Sequence, residues 1–235
     1  MGSFAQIAIG RESWGANHNV ARHRHDRAYV AVILSGGYEE CGSRGRFCVG
    51  AGDVLLHDRF DAHLNRFQKK GAQILNLVVA APATGFDIGH VDDPDAIART
   101  AERCPADAGA ALREQLAAET RAPEDWPDRL ARDLLEIPQC RLDDWARKHG
   151  LAAETVSRGF GKVFGITPAS FRLEARARRA LRMIAGSDAS LASIAAAGGF
   201  ADQAHMTRAI CALTGATPGA WRRSNPFKTA GVKAV

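Results

Sequence analysis

The chain of 235 residues has few cysteines, few aromatic residues and no long apolar run. Its five cysteines include no closely spaced Cys-x-x-Cys pair, so they indicate reduced cytosolic thiols and argue against a disulfide framework. No segment approaches the ~18–20 consecutive apolar residues of a membrane span, and no basic start followed by an apolar run marks a secretory signal. We therefore expect a cytoplasmic protein that has no membrane partner.

What is present is the composition of an ordinary globular protein, with 46% hydrophobic and 24% charged residues. A chain of this length predicts two domains. The formal charge of +5 is uneven, because residues 91–127 carry 4 basic and 9 acidic side chains whereas residues 128–235 carry 17 and 9. A basic C-terminal half behind an acidic connector indicates a polyanionic partner, although a solvated charged surface without a partner has the same composition.

The N-terminal segment has the pattern of short β-strands separated by glycine turns. Strands are predicted over 28–34, 46–49, 53–56 and 73–80, and Ser35-Gly36-Gly37 is predicted to close the first of them. Several short strands within about 80 residues are typical of a small β-barrel or sandwich.

Six of the eight histidines lie within the first 90 residues. His23 and His25 are two residues apart, a spacing that points both side chains to one face of a strand. Two imidazoles on one face, joined by His63 or His57 from a later strand, form a common metal-ligand geometry. Histidines that only hydrogen-bond inside a barrel, or that line an organic-ligand pocket, produce the same spacing.

This segment resembles a cupin through His23-Arg24-His25, the Gly52-Asp53 turn and the later His63. The resemblance implies a β-barrel that binds a small-molecule effector, with a divalent metal as an alternative. Cupin metal sites usually add a carboxylate soon after the histidine pair, where this chain has Ala28-Tyr29-Val30, so no cofactor is required. The candidate ligand-binding residues are His23, His25, Tyr29, Tyr38 and His63, and the candidate metal ligands are His23, His25 and His63.

The connector between the two halves has helical spacing. Helices are predicted over 94–103 and 107–121, with prolines punctuating the segment. The apolar stripe of the second helix has two interpretations: it packs on its own barrel, or it pairs with a second copy in a homodimer.

A duplication with a period of 50 residues is the strongest pattern in the chain. Ser157-Arg158 and Gly165-Ile166-Thr167-Pro168 recur as Thr207-Arg208 and Gly215-Ala216-Thr217-Pro218. Each copy predicts two short helices joined by a glycine turn, over 142–149 and 153–164 in the first and over 191–197 and 202–213 in the second. An arginine-rich helix over 169–185 is predicted between them.

Two short helices joined by a tight turn form a helix-turn-helix, whose second helix can enter the DNA major groove. Arg158 and Arg208 occupy equivalent exposed positions, and arginine is the usual partner of guanine. A solvated helix face would explain such residues on a lone helix, but the duplicated unit and the basic charge favour DNA contact. The candidate DNA-contacting residues are Glu154, Thr155, Ser157, Arg158, Lys162, Gln203, His205, Thr207 and Arg208.

These motifs resemble the DNA-binding domain of AraC/XylS-type transcription regulators over residues 128–224. The resemblance rests above all on Val156-Ser157-Arg158-Gly159-Phe160, on the two Gly-x-Thr-Pro motifs and on the segment from Gly198 to Arg208. It implies a cupin-like N-terminal sensor joined to a double helix-turn-helix. The chain departs from the family at Ile210-Cys211, where Phe-Lys is usual. Gly159 and Gly161 also lie inside the first recognition helix, where each costs up to ~1 kcal/mol relative to alanine.

We therefore expect an α+β multidomain protein with a cupin-like sensor barrel over 1–85, a helical connector over 86–127, an all-α DNA-binding domain over 128–226 and a flexible tail over 227–235. The expected function is that of a sequence-specific transcription regulator, without enzymatic activity, whose partners are double-stranded DNA, a small-molecule effector and a second copy of the chain. Two alternatives remain open. The histidine cluster serves a metal-dependent cupin enzyme, or the barrel is only a dimerisation scaffold for a ligand-independent regulator.

Overall fold

A computed structural model describes residues 4–78, 87–121, 125–137 and 140–223. The chain divides into two compact units: the first comprises Phe4–Arg132 and Leu142–Thr167, and the second comprises Asp133–Arg141 and the chain from Pro168 onward. The domain boundaries expected from the sequence stay predictions, and the expected tail over 227–235 lies outside the described residues. Within the described ranges, no helix has the length and apolar character needed to cross a membrane.

The first unit contains an antiparallel sheet of eight strands built from the described residues. Long strands β3 and β6 lie at its centre and pair with each other along most of their length. The strands are β1 (Gly10–Trp14), β2 (Asn19–Arg24), β3 (Tyr29–Gly42), β4 (Gly45–Gly50), β5 (Asp53–His57), β6 (Ala62–Val78), β7 (Ile88–His90) and β8 (Ala117–Glu119). The antiparallel sheet expected for the N-terminal half is thus present.

Two of the expected strand bounds are wrong, because both strands are longer than predicted. The strand predicted to close at Ser35-Gly36-Gly37 continues to Gly42, because the glycines form an irregularity inside β3 rather than a turn. A Cβ atom on Gly36 would lie 2.1 Å from the Gly71 carbonyl oxygen, so glycine permits the close approach of β6. The strand predicted over 73–80 begins already at Ala62, while its expected last residues, 79 and 80, lie outside the described residues.

Alternating residues of the central strands give the sheet two apolar faces. On one face, Val30 and Val32 pack in a cluster with Ile97 of helix α1 (Pro94–Arg103) and Leu112 of helix α2 (Pro105–Gln115). The connector helices therefore bury their apolar stripe on their own sheet. Helix α2 ends at Gln115 instead of residue 121, since the chain turns extended at Leu116 and forms β8.

The helices that follow agree with the repeat. They are α3 (Trp126–Glu136), α4 (Leu142–Lys148), α5 (Ala153–Phe164), α6 (Pro168–Gly186), α7 (Leu191–Ala197), α8 (Gln203–Thr214) and α9 (Pro218–Arg223). Helices α5 and α8 both end at a glycine in the left-handed conformation, Gly165 with φ 67° and Gly215 with φ 75°, where other residues are strained. The two helix-turn-helix pairs, α4–α5 and α7–α8, are confirmed.

Candidate nucleic-acid interface and ligand pocket

Helix α5 is the recognition helix of the first helix-turn-helix. Its apolar face, formed by Val156, Phe160 and Phe164, is fully buried. The opposite face leaves Glu154, Thr155, Arg158 and Lys162 exposed and Ser157 half-buried. All five DNA-contact candidates of this helix therefore lie on its open side, the arrangement that the helical spacing predicts.

Helix α8 is the corresponding helix of the second pair. The Asp202 carboxylate begins it by accepting the backbone N–H of His205 at 2.6 Å. Gln203 and Arg208 are exposed, whereas His205 and Thr207 are half-buried. The His205 ring lies edge-on to Phe200, with 5.4 Å between ring centroids, and the Thr207 hydroxyl donates to the Gln203 carbonyl oxygen at 2.9 Å.

The two arginines proposed for base contact occupy matching places. Arg158 is the sixth residue of α5 and Arg208 is the sixth residue of α8, and both are exposed. Because the two helices also end at equivalent glycines, the duplicated sequence is a duplicated structure. Each unit thus presents one guanidinium from the same register of its recognition helix.

Gly159 has a packing role that the sequence does not reveal. A Cβ atom at this position would lie 2.5 Å from Cζ2 and 2.7 Å from Cη2 of the Trp126 ring. The ring therefore packs directly against the α5 backbone. Nothing lies within 4 Å of the corresponding position on Gly161. The two glycines of this helix thus differ in their surroundings: the indole ring of Trp126 packs against Gly159, whereas Gly161 faces open space.

A cavity of about 430 Å³ opens on the second face of the sheet. This volume is within the range of small-molecule sites. The five residues predicted to bind ligand all line it, namely His23, His25, Tyr29, Tyr38 and His63.

The three predicted metal ligands are brought together in this cavity. His23 and His63 are partners in the β2–β6 register, and each of the three imidazoles offers a nitrogen within 4.8 Å of the others. The Nδ1 atoms of His23 and His25 lie 2.9 Å and 2.7 Å from the carbonyl oxygens of Ala21 and Ala5. We assign Nδ1–H as the donor in both bonds, which leaves a lone pair on each Nε2.

Burial sets the charge of the histidines. Desolvation lowers the pKa of His23 and of His25, lowers that of His57 to about 3, and holds that of His63 well below its usual range. All four imidazoles are therefore neutral at pH 7, the form in which histidine binds metals.

Glu40 and His57 are two of the cavity residues that the sequence analysis missed, Glu40 altogether and His57 as a ligand-binding residue. Glu40 lies on β3, beyond the predicted end of that strand, and its Oε2 is 3.7 Å from His57 Nε2. Desolvation, followed by the nearby Asp61, raises the pKa of Glu40 to about 8. The His57 ring stacks on Tyr29 with 4.3 Å between centroids. Two-residue alternation from Tyr38 would have placed Glu40 on the inner face, had the strand been continued through the glycines.

Arg22 and Arg66 connect the sheet to the end of α5. Arg22 lines the cavity, and its guanidinium donates to the Phe164 carbonyl oxygen at 3.2 Å. Arg66 donates to the carbonyl oxygens of Lys162 and Val163 at 2.6 Å and 3.0 Å, and to the Glu39 carboxylate at 2.6 Å. Cations at the last carbonyls of a helix satisfy groups that have no partner within the helix and oppose its dipole.

Comparison with known proteins places the C-terminal half in a family. Residues 145–224 match the family described as a helix-turn-helix domain. The HTH-type transcriptional regulator ExsA of Pseudomonas aeruginosa is 31% identical over 82 residues, which are 35% of this chain and 30% of that relative. The duplicated helix pair and these matches define a module of the helix-turn-helix class. Residues 145–224 are therefore similar to a helix-turn-helix domain, as the resemblance implied, and the chain spans about a third of the length of this curated relative.

Two solved structures are loosely similar to this chain. The C-terminal domain of AraT, a response regulator from Geobacillus stearothermophilus, covers 42% of this chain and 84% of its own, at 18% identity and a TM-score of 0.39. Unsaturated fatty acid-bound ToxT from Vibrio cholerae covers 93% of this chain and 95% of its own, at 9% identity and a TM-score of 0.43. These likenesses are too loose to carry a ligand or a partner over to this chain.

Proposed function

We propose that the protein is a sequence-specific DNA-binding transcription regulator whose activity is controlled by a small molecule bound in the N-terminal cavity. The observation that carries the proposal is the pair of matched recognition helices, each with an exposed arginine at its sixth residue. Guanidinium groups at one register of two helix-turn-helix units suit two successive readings of the major groove.

The remaining exposed polar residues complete the DNA contact in this proposal. Arg158 and Arg208 bind guanine, and Gln203 binds adenine. Glu154, Thr155, Ser157 and Thr207 contact base edges or the sugar–phosphate backbone beside them, and Lys162 binds phosphate. His205 contributes least, because its ring is already engaged by Phe200.

Control by the effector follows from the contacts of Arg22. This residue lines the cavity and also donates a hydrogen bond to the last carbonyl of α5. A ligand that displaces or binds its guanidinium therefore weakens this contact with α5. Such coupling requires that the ligand bind one arrangement of α5 more tightly than the other. Arg66 holds the same helix end from outside the cavity lining and opposes the change.

The finer architecture belongs to the same proposal. The cavity, the Gly52-Asp53 turn and the clustered histidines support a cupin-like barrel as the form of the sheet. A homodimer stays part of the proposal because two-fold dimers are common, and its contact surface lies outside the apolar stripe of α1 and α2, which is covered by the sheet. Action on DNA implies a cytoplasmic location.

The test is selection of genomic DNA fragments on the full chain at physiological salt, followed by sequencing. We expect a bipartite motif with half-sites about one helical turn, ~34 Å, apart. The variants Arg158→Ala and Arg208→Ala each lose preference at one position of the motif, whereas Arg103→Ala, which removes an exposed arginine at the end of α1, leaves the motif intact. Recovery of unspecific DNA by the wild-type chain overturns the proposal.

A metal-dependent cupin enzyme is the second candidate, and the convergence of His23, His25 and His63 is the observation that favours it. Turnover of candidate substrates by the metal-loaded chain separates it from a sensor. A ligand-independent regulator, with the barrel as a scaffold, is distinguished by DNA binding that no cavity ligand alters.

A further inference from the structure

Three buried carboxylate or imidazole atoms at the cavity have no hydrogen-bond partner among the described residues: Glu40 Oε2, His57 Nε2 and His63 Nδ1. Their side chains belong to residues that are only 5%, 4% and 3% exposed, so water does not solvate them freely. The large majority of buried polar atoms in folded proteins are paired, and an unpaired group calls for an explanation such as a bound ion or water. Three such atoms in one place therefore indicate a common partner.

The same three residues converge. Glu40, His57 and His63 each offer one ligand atom, and these atoms all lie within 4.8 Å of one another. They come from the three strands β3, β5 and β6, and β3 pairs with both of the other two. The Tyr29 hydroxyl, 3.4 Å from His63 Nε2, braces the shared imidazole from the side.

We propose that Glu40, His57 and His63 bind a divalent transition-metal ion. Two imidazoles and one carboxylate suit Zn²⁺ and Fe²⁺ and leave further positions of the ion open toward the cavity. A dication compensates the buried carboxylate charge and gives both orphaned imidazole nitrogens a partner. The metal site is inferred from this geometry alone. A role of the bound metal in effector sensing rests on the proposed function.

His23 and His25 are the competing ligand pair around His63. Each already donates from Nδ1 to a backbone carbonyl, and no atom of either is left buried without a partner. They also bring no carboxylate to the ion. We therefore assign them to the cavity wall, where they contact whatever occupies the open positions, rather than to the set that holds the ion.

The experiment is titration of the tag-free full chain, first treated with chelator, with Zn²⁺ by calorimetry and with Co²⁺ by visible absorption. We expect one ion per chain. Glu40→Gln and His57→Asn weaken Zn²⁺ binding by more than the ~10–100-fold that loss of an outer-sphere partner costs. The matched controls Glu12→Gln, a carboxylate on the same cavity wall, and His18→Asn, an exposed imidazole stacked on Trp14, leave binding unchanged.

Several results overturn the assignment. They are a wild-type chain that binds neither ion, variants at Glu40 and His57 that bind as tightly as the wild type, or a His25→Asn variant that loses binding as completely as they do. The wild-type titration holds even if a variant fails to fold. Because no DNA is present, failure of the metal site leaves the DNA-selection result untouched, and unspecific DNA selection leaves the metal titration untouched.

Discussion

Alanine at Gly159 and alanine at Gly161 are expected to have opposite effects on stability, although both replace a glycine in the same helix. Alanine has a higher helix propensity by ~1 kcal/mol, so Gly161→Ala, which meets open space, stabilises the chain by about that amount. At Gly159 the new methyl group would lie 2.5 Å from the Trp126 ring. Overpacking of this kind costs ~1–3 kcal/mol, so the net effect of Gly159→Ala ranges from neutral to ~2 kcal/mol destabilising.

Urea unfolding followed by far-UV circular dichroism measures the difference. The two midpoints should move apart, and in thermal unfolding each kcal/mol corresponds to ~2–4 °C for a protein of this size. Trp126→Leu removes the ring atoms that approach Gly159, so in that background Gly159→Ala should become as favourable as Gly161→Ala. Equal shifts for the two alanine variants in the wild-type background would refute the packing argument.

Three further predictions follow from the recognition helices and the cavity. Arg158→Ala and Arg208→Ala each weaken binding to the selected DNA by ~1–3 kcal/mol and relax one base preference, measured by fluorescence anisotropy, and an unchanged preference contradicts base contact. Arg66→Ala loses two charge-assisted hydrogen bonds to the end of α5 at a partly exposed site, which costs ~1–2 kcal/mol after screening. Amide exchange of the last turn of α5 therefore accelerates ~5–30-fold, and the rate for Arg66→Lys falls between those of the wild type and Arg66→Ala. Glu40 has a pKa of about 8 in the folded state and 4.5 in the unfolded state, so between these values the folded state binds one more proton. The stability of the wild type therefore falls as the pH rises through this range. The stabilising effect of Glu40→Gln in metal-free protein accordingly grows from about pH 5 to about pH 8.5. Parallel pH profiles of urea midpoints for Glu40→Gln and the wild type would contradict the last prediction.

The C-terminal half is predictable from the sequence because its signals are local. Apolar spacing placed Val156 and Phe160 inside, and the glycines after each recognition helix marked its end. Helical hydrogen bonds join residues four apart, so periodicity and end signals together contain most of the information. The role of Gly159 escaped because its partner, Trp126, lies in another helix and no local rule connects them.

The N-terminal half is less predictable because strand pairing is non-local. A pair of glycines in the middle of a long strand has the same local appearance as a turn, and only the approach of β6 distinguishes the two. The error had a functional consequence, since it left Glu40 outside the predicted strand. Which histidines converge with that carboxylate depends on the register among β3, β5 and β6, which a single sequence does not specify.

The two recognition helices are alike in sequence but differ in what holds them. Helix α5 starts without a side-chain cap, carries the Trp126 ring on Gly159, and has its last carbonyls bound by Arg22 and Arg66 of the sheet. Helix α8 is instead capped by Asp202 within its own helix-turn-helix. Under the proposed function, an effector in the cavity acts on the position of α5, because Arg22 lines the cavity and also binds the end of that helix. We therefore expect the second helix-turn-helix, α7–α8, to supply the constant part of the DNA preference. The first helix-turn-helix, α4–α5, supplies the part that responds to ligand.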